Sequence, residues 1–122
     1  MILVEVARGT LGGVGRSGLG EINGITVSGH SGHAEHGKDI VCAAASVTIY
    51  TAAGALAEIC KAPEQGSIIK DGYFELKAPD TDNPITWHTS QVIMETAYIG
   101  FKQIEASYPG YILITDNKKR PI

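Results

Sequence analysis

The segment from Ile40 to Ala57 carries no charged side chain, and it is apolar nearly all round. Asp39 stands directly before it and belongs to the residue types that cap helices, so the pattern predicts a helix that starts after Asp39 and lasts until about Cys60. Ala, Ser, Thr and Gly outnumber Leu, Ile and Phe, which favours close packing inside a small protein over a membrane span. Such a helix needs cover on two sides, from a sheet and from either a second helix or a partner subunit.

Two strand patterns precede this helix. Residues 1–7 are β-branched and apolar and predict a strand at the edge of the fold, while Glu21–Gly29 alternates apolar with polar side chains, as a half-buried strand does. Asn23-Gly24 predicts a tight turn or a bulge. The glycine-rich segment Gly9–Gly20 between them predicts a loop. Its Gly13-x-Gly15-x-x-Gly18 string is not a dinucleotide site, because that motif must open a helix and a strand follows here.

The second half of the chain predicts a hairpin, a helix and a final strand. Ile68-Ile69 and Tyr73–Leu76 flank an Asp71-Gly72 turn signal, Pro84–Ser107 has a helical pattern, and Tyr111–Thr115 reads as a strand. The predicted order is β-β-α-β-β-α-β. That order predicts an α+β, two-layer fold with a mostly antiparallel sheet and two main helices.

The pattern of the second helix rests on side chains that share one stripe. Val92, Thr96, Ile99 and Gln103 follow the helical period, with Ile93, Ala97 and Ile104 beside them. We expect this helix to pack on the sheet next to the first one.

The composition restricts the classes of protein. With 122 residues, 43% apolar and 19% charged, the chain fits one domain with one core, residues 1–122. A net charge of −3 argues against direct nucleic-acid binding, and the basic Lys118–Arg120 is expected to be a solvated tail. Apolar Met1–Val4 is followed by Glu5 and has no basic leader, which predicts a cytoplasmic protein without a secretory signal.

Reactive chemistry is expected where the first helix begins. With Asp39 as N-cap, Cys42 becomes the N3 residue, near backbone N–H groups whose positive potential favours a thiolate. A cysteine nucleophile needs a base within hydrogen-bond reach, and His30 at the end of a strand is the candidate. The loop between them contains Gly32 and Gly37 and can bring the two together. The alternative is that Cys42 is a small buried hydrophobe, and the residues alone leave both interpretations open.

Weaker signals surround Cys42. His30, His33, His36 and Cys42 have the ligand chemistry of zinc, but a second ligand pair from a distant element is missing, so a metal site is less favoured. Ser46, one turn after Cys42, is expected to line a pocket or to bond back into its helix.

Two further residues are expected to be structural. Asp39 caps the helix, with a role in orienting an imidazole as the alternative. Cys60 lies near the helix C-terminus, where the dipole disfavours a thiolate, so we expect it to be inert.

The run GHSGHAEHGKDIVCAAAS, residues 29–46, closely resembles the signature of the ribosomal-processing cysteine protease family of bacteria. The resemblance extends over nearly the whole chain, through Gly20–Ile22, the Gly72-Tyr73 hairpin, Gln91 and Tyr108-Pro109. Two departures are Ser31, where the family commonly has alanine, and a longer, more glycine-rich loop at residues 9–20.

Members of that family remove a short N-terminal extension from a large-subunit ribosomal protein. The resemblance implies that His30 is the catalytic histidine and Cys42 the nucleophile, with Asp39 and Ser46 at signature positions. It implies a homodimer that uses no metal or cofactor and has no membrane association. The backbone N–H groups at the start of the helix are candidates for binding the oxyanion. Two alternatives remain: a His/Cys metal-binding protein and a non-enzymatic ribosome-associated adaptor.

Overall fold

The computed structural model describes residues 1–9, 20–29, 39–62, 68–70 and 72–116, with the backbone alone for residues 68–70. The elements follow the predicted order β-β-α-β-β-α-β, with small differences at their ends. In chain order they are β1 (Ile2–Gly9), β2 (Glu21–Ser28), α1 (Ile40–Glu58), β3 (Ile68–Lys70), β4 (Tyr73–Lys77), α2 (Pro84–Ser107) and β5 (Ile112–Asp116).

The described strands form one sheet in the order β3-β4-β2-β1-β5. The β1–β2, β2–β4 and β3–β4 pairs are antiparallel, and β5 lies parallel to β1. The predicted two-layer α+β fold with a mostly antiparallel sheet is confirmed. The prediction that β1 lies at the edge is wrong, because β5 pairs with its outer side. That position depends on how α2 carries the chain back across the sheet, which the residues of β1 do not encode.

Asn23 forms a bulge in β2, one of the two structures that its Asn-Gly pair predicts. Ala7 pairs with Gly24 and Arg8 pairs with Ile22, so the register shifts by one residue at Asn23. Glycine at position 24 permits the close approach of β4, because a Cβ there would lie 3.1 Å from the carbonyl oxygen of Leu76. The bulge accentuates the local twist and bend of the strand.

Both helices cover the same face of the sheet and run antiparallel to each other. A Cβ at Gly100 of α2 would lie 3.1 Å from Thr48 Cγ2 of α1, so glycine permits the close helix contact. Just after the C-terminus of α1, the Cys60 thiol lies 3.9 Å from the carbonyl oxygen of Thr86, which is in the first turn of α2. The end of α1 therefore meets the start of α2. Buried side chains from the strands and both helices form one core: Ile2, Val4, Val6, Ile22, Ile25, Val41, Ala45, Ile49, Ala52, Leu56, Phe74, Leu76, Met94, Ala97, Phe101 and Ile112.

The buried face of α2 is offset from the stripe that was predicted: of the side chains expected beside that stripe, Ala97 is buried and Ile93 and Ile104 pack against the core. Val92 and Ile99 are 52% and 54% exposed, whereas Met94 and Phe101 are fully buried. The core-facing positions are Trp87, Ser90, Met94, Ala97 and Phe101. Two helical stripes of similar character exist in this segment, and the one that carries the larger side chains packs on the sheet.

The outer face of α1 is uncharged and exposed. Val47 is 64% exposed and Tyr50 is 48% exposed, although the opposite side of the helix is buried. Among the described residues, α1 is a helix long and apolar enough to cross a membrane, with a mean hydropathy of 1.8. A core helix of a soluble protein passes the same test.

An ion cluster around Arg8 joins three elements at the C-terminal end of β1. Its guanidinium binds both carboxylate oxygens of Glu95 on α2, and its Nε lies 2.8 Å from the Asp116 carboxylate on β5. It also donates to the Gly20 carbonyl and lies 5.2 Å from the centre of the Tyr98 ring. Because the Arg8 side chain is only 10% exposed, these partners compensate for the loss of its hydration.

Gln91 fastens α2 to the start of β2. Its side-chain oxygen accepts the Ile22 N–H at 2.7 Å, and its side-chain nitrogen donates to the Ile22 carbonyl at 2.9 Å. One amide thus pairs both backbone groups of a buried residue. Glutamine suits this position because its side-chain amide carries both an acceptor and a donor, which match the backbone N–H and carbonyl of Ile22.

Replacement of Arg8 by methionine is expected to lower the free energy of unfolding by about 2–3 kcal/mol, because Glu95 and Asp116 lose their shared cation. Urea unfolding followed by circular dichroism measures the change. Lys102→Met is the control, since the Lys102–Glu105 pair is exposed and is expected to contribute less than about 1 kcal/mol. Equal losses in the two variants would contradict this role for Arg8.

Candidate active site

Asp39 caps α1 as the sequence predicts. Its backbone is extended, and its carboxylate oxygen Oδ1 accepts the N–H groups of Val41 and Cys42, each at 3.0 Å. The Asp39 side chain and backbone are buried. The cap satisfies two donors that a helix start leaves unpaired, and it fixes Cys42 as the N3 residue.

The same hydrogen bonds engage the backbone donors closest to Cys42. The N–H groups of Val41 and Cys42 point at the Asp39 carboxylate, and the Ala43 N–H donates to the Asp39 carbonyl oxygen at 3.0 Å. An oxyanion bound at these donors would have to displace the carboxylate, and the two negative groups would repel each other. The expected oxyanion site at the start of α1 is therefore already filled by Asp39 in this structure.

Cys42 is half-buried and packs against the edge of the core. Its thiol is not part of a disulfide. It lies one residue after buried Val41 and one before exposed Ala43, so it sits where the buried side of α1 meets its outer side. A nucleophile at such a boundary can be held rigidly by the core and still be reached by a substrate.

Cys60 has a different environment at the other end of the helix. Burial raises the pKa of the Cys60 thiol. Its S–H donates to the Thr86 carbonyl oxygen at 3.9 Å, which ties the thiol to the first turn of α2. Both features disfavour the thiolate, in agreement with the prediction that Cys60 is inert.

Ser46 is half-buried, one turn along α1 from Cys42. Thr48, two residues further along, donates its hydroxyl to the Ala44 carbonyl at 2.7 Å, which is the kind of bond that was one alternative for Ser46. The role of Ser46 in lining a pocket stays a prediction.

The three histidines of the signature, His30, His33 and His36, lie outside the described residues, so the Cys–His pair and the zinc alternative both stay predictions. Within the part of the chain that the structure describes, no three His, Cys, Asp or Glu side chains come together as a metal site. The structure does place the two ends from which residues 30–38 run, Gly29 after β2 and Asp39 before α1.

The sequence identifies Gly29 only as the end of a predicted strand and as the first residue of the signature; the structure shows it in a left-handed backbone conformation, φ +85°, at the end of β2. A glycine at the end of a predicted strand and directly before the candidate base was the available signal, since such positions often require positive φ. The Arg8 cluster was also missed, because its members are far apart in the chain.

Replacement of Asp39 by alanine is expected to lower the free energy of unfolding by about 1 kcal/mol, because two N–H groups lose their acceptor. Serine can accept from the same groups, so Asp39→Ser is expected to cost less than about 0.5 kcal/mol. Chemical denaturation measures both, with Asn83→Ala at the α2 cap as a matched control. A serine variant as unstable as the alanine variant would show that the carboxylate does more than cap.

Comparison with known proteins identifies the family. The family model for the cysteine protease Prp matches residues 14–113 of this chain. The ribosomal processing cysteine protease Prp of Staphylococcus aureus (strain NCTC 8325) is 29% identical over 90 residues, which cover 73% of this chain and 81% of that protein. The protein of the same name from Bacillus subtilis is 28% identical over 92 residues, covering 75% and 82%.

Solved structures agree with the fold. The S. aureus protease Prp in complex with a substrate peptide has a TM-score of 0.73 at 24% identity, covering 96% of this chain and 100% of that one. A Streptococcus mutans protein has a TM-score of 0.68 at 21% identity, covering 95% and 93%. At these identities the structures establish the shared α+β fold. The match of the family model over most of the chain, together with the resemblance of residues 29–46, shows that this chain belongs to the cysteine protease Prp family.

Proposed function

We propose that this protein is the cysteine endopeptidase that removes the short N-terminal extension of a large-subunit ribosomal protein. The observation that carries the proposal is Cys42 itself, held at N3 of the capped helix α1 within the matched region of a cysteine protease family. The name of the S. aureus and B. subtilis relatives, ribosomal processing cysteine protease, supports the substrate class.

The proposed chemistry uses His30 and Cys42. The His30 imidazole takes the proton of the Cys42 thiol, and the thiolate attacks the scissile carbonyl carbon. The tetrahedral intermediate collapses to a thioester as the amine of the mature protein leaves with the proton from His30. Water then hydrolyses the thioester, with His30 as the base again, and the thiol is regenerated. None of these steps requires a metal or another cofactor.

Asp39 and Ser46 are proposed to support the dyad without taking part in bond making. Asp39 holds the first turn of α1 through the two N–H groups it accepts, which fixes the backbone of Cys42. Ser46 lies one helical turn after Cys42 on the same helix and is half-buried, a position suited to contact with a bound peptide.

A second copy of the chain is the proposed cover for the outer face of α1. The helix is uncharged from Ile40 to Ala57, yet Val47 and Tyr50 remain exposed in the single chain. A homodimer would remove this apolar surface from water.

We also propose a cytoplasmic location, where thiols are kept reduced, and no direct binding to nucleic acid or membrane, since the net charge is −3.

Mass spectrometry of a ribosomal protein bearing the extension tests the activity. The wild-type protein and Cys60→Ala are expected to release one discrete N-terminal peptide at equal rates. Cys42→Ala is expected to release none, and His30→Ala to be slower by about a hundredfold or more, because proton transfer contributes on this scale. Cys60→Ala is the matched control, since it removes the other thiol of the same helix region.

Two outcomes contradict the dyad. The first is cleavage by Cys42→Ala at the wild-type rate. The second is loss of wild-type cleavage on addition of a metal chelator, which would favour the His/Cys metal alternative. Binding of the ribosomal protein without turnover, and without effect of thiol alkylation, would favour the adaptor alternative.

Sedimentation velocity tests the homodimer. The wild-type protein is expected to sediment as a dimer, with twice the chain mass of 12.9 kDa. The Val47→Glu variant places a charge on the outer face of α1 and is expected to sediment as a monomer. Ile85→Glu is the control, because Ile85 is 76% exposed at the start of α2. A dimer unchanged by Val47→Glu would show that this face of α1 is not the interface.

A further inference from the structure

Gly29 is the last described residue before the candidate base, and its backbone conformation is available cheaply only to glycine. Its φ of +85° lies in the left-handed region, where an L side chain meets the adjacent backbone. Ser28, directly before it, still belongs to β2 and pairs with Leu3 on one side and Tyr73 on the other. The strand β2 therefore ends at Ser28, and the backbone departs from the extended conformation at Gly29.

Backbone from two other elements closes around Gly29. A Cβ built on it would lie 2.5 Å from the Met1 carbonyl oxygen and 3.9 Å from the Ile2 Cα, so the start of β1 lies directly against the Gly29 Cα. On another side the Gly29 N–H donates to the Gly72 carbonyl oxygen at 2.8 Å, in the turn between β3 and β4. Both contacts are made by backbone atoms, which cannot move aside as a flexible side chain could.

Gly72 and Met1 are themselves fixed. Gly72 adopts φ +72° directly before β4, and β4 pairs with β2 from Tyr73 onward. Met1 precedes Ile2, whose N–H donates to the Tyr111 carbonyl at 3.0 Å and whose side chain is buried. Gly29 is thus held by backbone that belongs to or adjoins strands β1, β2 and β4, and these strands are themselves fixed by the core.

We propose that Gly29 is the positioning residue for His30: the backbone of Met1 and Gly72 holds Gly29 and so fixes the backbone to which the proposed catalytic histidine is joined. This rests on the proposed Cys42–His30 dyad. His30 is bonded directly to Gly29 in the chain, so a displacement of the Gly29 backbone passes directly to the base. Asp39 fixes Cys42 through the cap, and Gly29 performs the corresponding function for His30.

Alanine at position 29 tests this role, because its methyl group would overlap the Met1 carbonyl and its φ would be strained. The backbone must then shift at the root of His30. We expect kcat on a peptide spanning the extension boundary to fall by about tenfold to a hundredfold, with KM within about twofold, since a displacement of about 1 Å can cost this much. Far-ultraviolet circular dichroism and thermal unfolding verify that the variant is folded.

Gly110→Ala is the matched control for backbone strain. Gly110 has φ +92°, and a Cβ there would meet no atom within 4 Å. It is expected to lower the melting temperature while kcat stays at the wild-type value. A similar loss of kcat in both variants would assign the effect to strain alone and would overturn the positioning role.

A pair of insertions gives a second test that does not depend on the stability of the alanine variant. One glycine is inserted between Gly29 and His30 in the first protein and between Gly37 and Lys38 in the second, so that both have the same segment length between β2 and α1. The first insertion separates the base from Gly29 and is expected to lower kcat at least tenfold more than the second. Equal kcat values would overturn the proposal.

The outcomes separate this inference from the proposed function. A wild-type protein that does not cleave the peptide would contradict the protease itself. Wild-type cleavage together with an unchanged kcat in Gly29→Ala would overturn the role of Gly29 and leave the dyad standing.

Discussion

The burial of one side of an uncharged helix is the constraint on which the rest of the structure depends. Helix α1 must place Val41, Ala45, Ile49, Ala52 and Leu56 against other apolar surface, and the sheet and α2 provide it. A buried helix start cannot leave its N–H groups unpaired, so a buried Asp39 accepts two of them. The cap that stabilises the start of this helix thereby also fixes the backbone of Cys42. Stability and reactivity share the same few hydrogen bonds.

This arrangement has a consequence for catalysis. The N–H groups at the start of a helix are a general site for anions, but here a carboxylate of the chain already occupies those beside the thiol. The Asp39 carboxylate therefore offsets part of the positive potential of this helix end. The proposed base, His30, directly follows Gly29 in the chain, and the backbone contacts of Gly29 hold the end of β2 in place.

Much of the fold could be predicted because its elements follow local patterns. The order of seven elements, the limits of α2 at Pro84 and Ser107, the bulge at Asn23 and the cap at Asp39 all come from short-range propensities. The position of β1 in the sheet and the buried face of α2 could not be predicted in the same way. Both depend on which elements become neighbours, and α2 has two stripes that satisfy the helical period.

The sequence by itself determined the chemistry of the candidate site, since the types and spacing of Asp39, Cys42 and His30 are properties of the chain, and it also determined the fold class. Only the tertiary structure decided how these groups are held. Gly29 meets Met1 and Gly72, and Arg8 meets Glu95 and Asp116, across long stretches of chain. Such contacts arise when strands distant in sequence pair and a helix packs on them, because register and packing bring residues together in space that no local pattern connects.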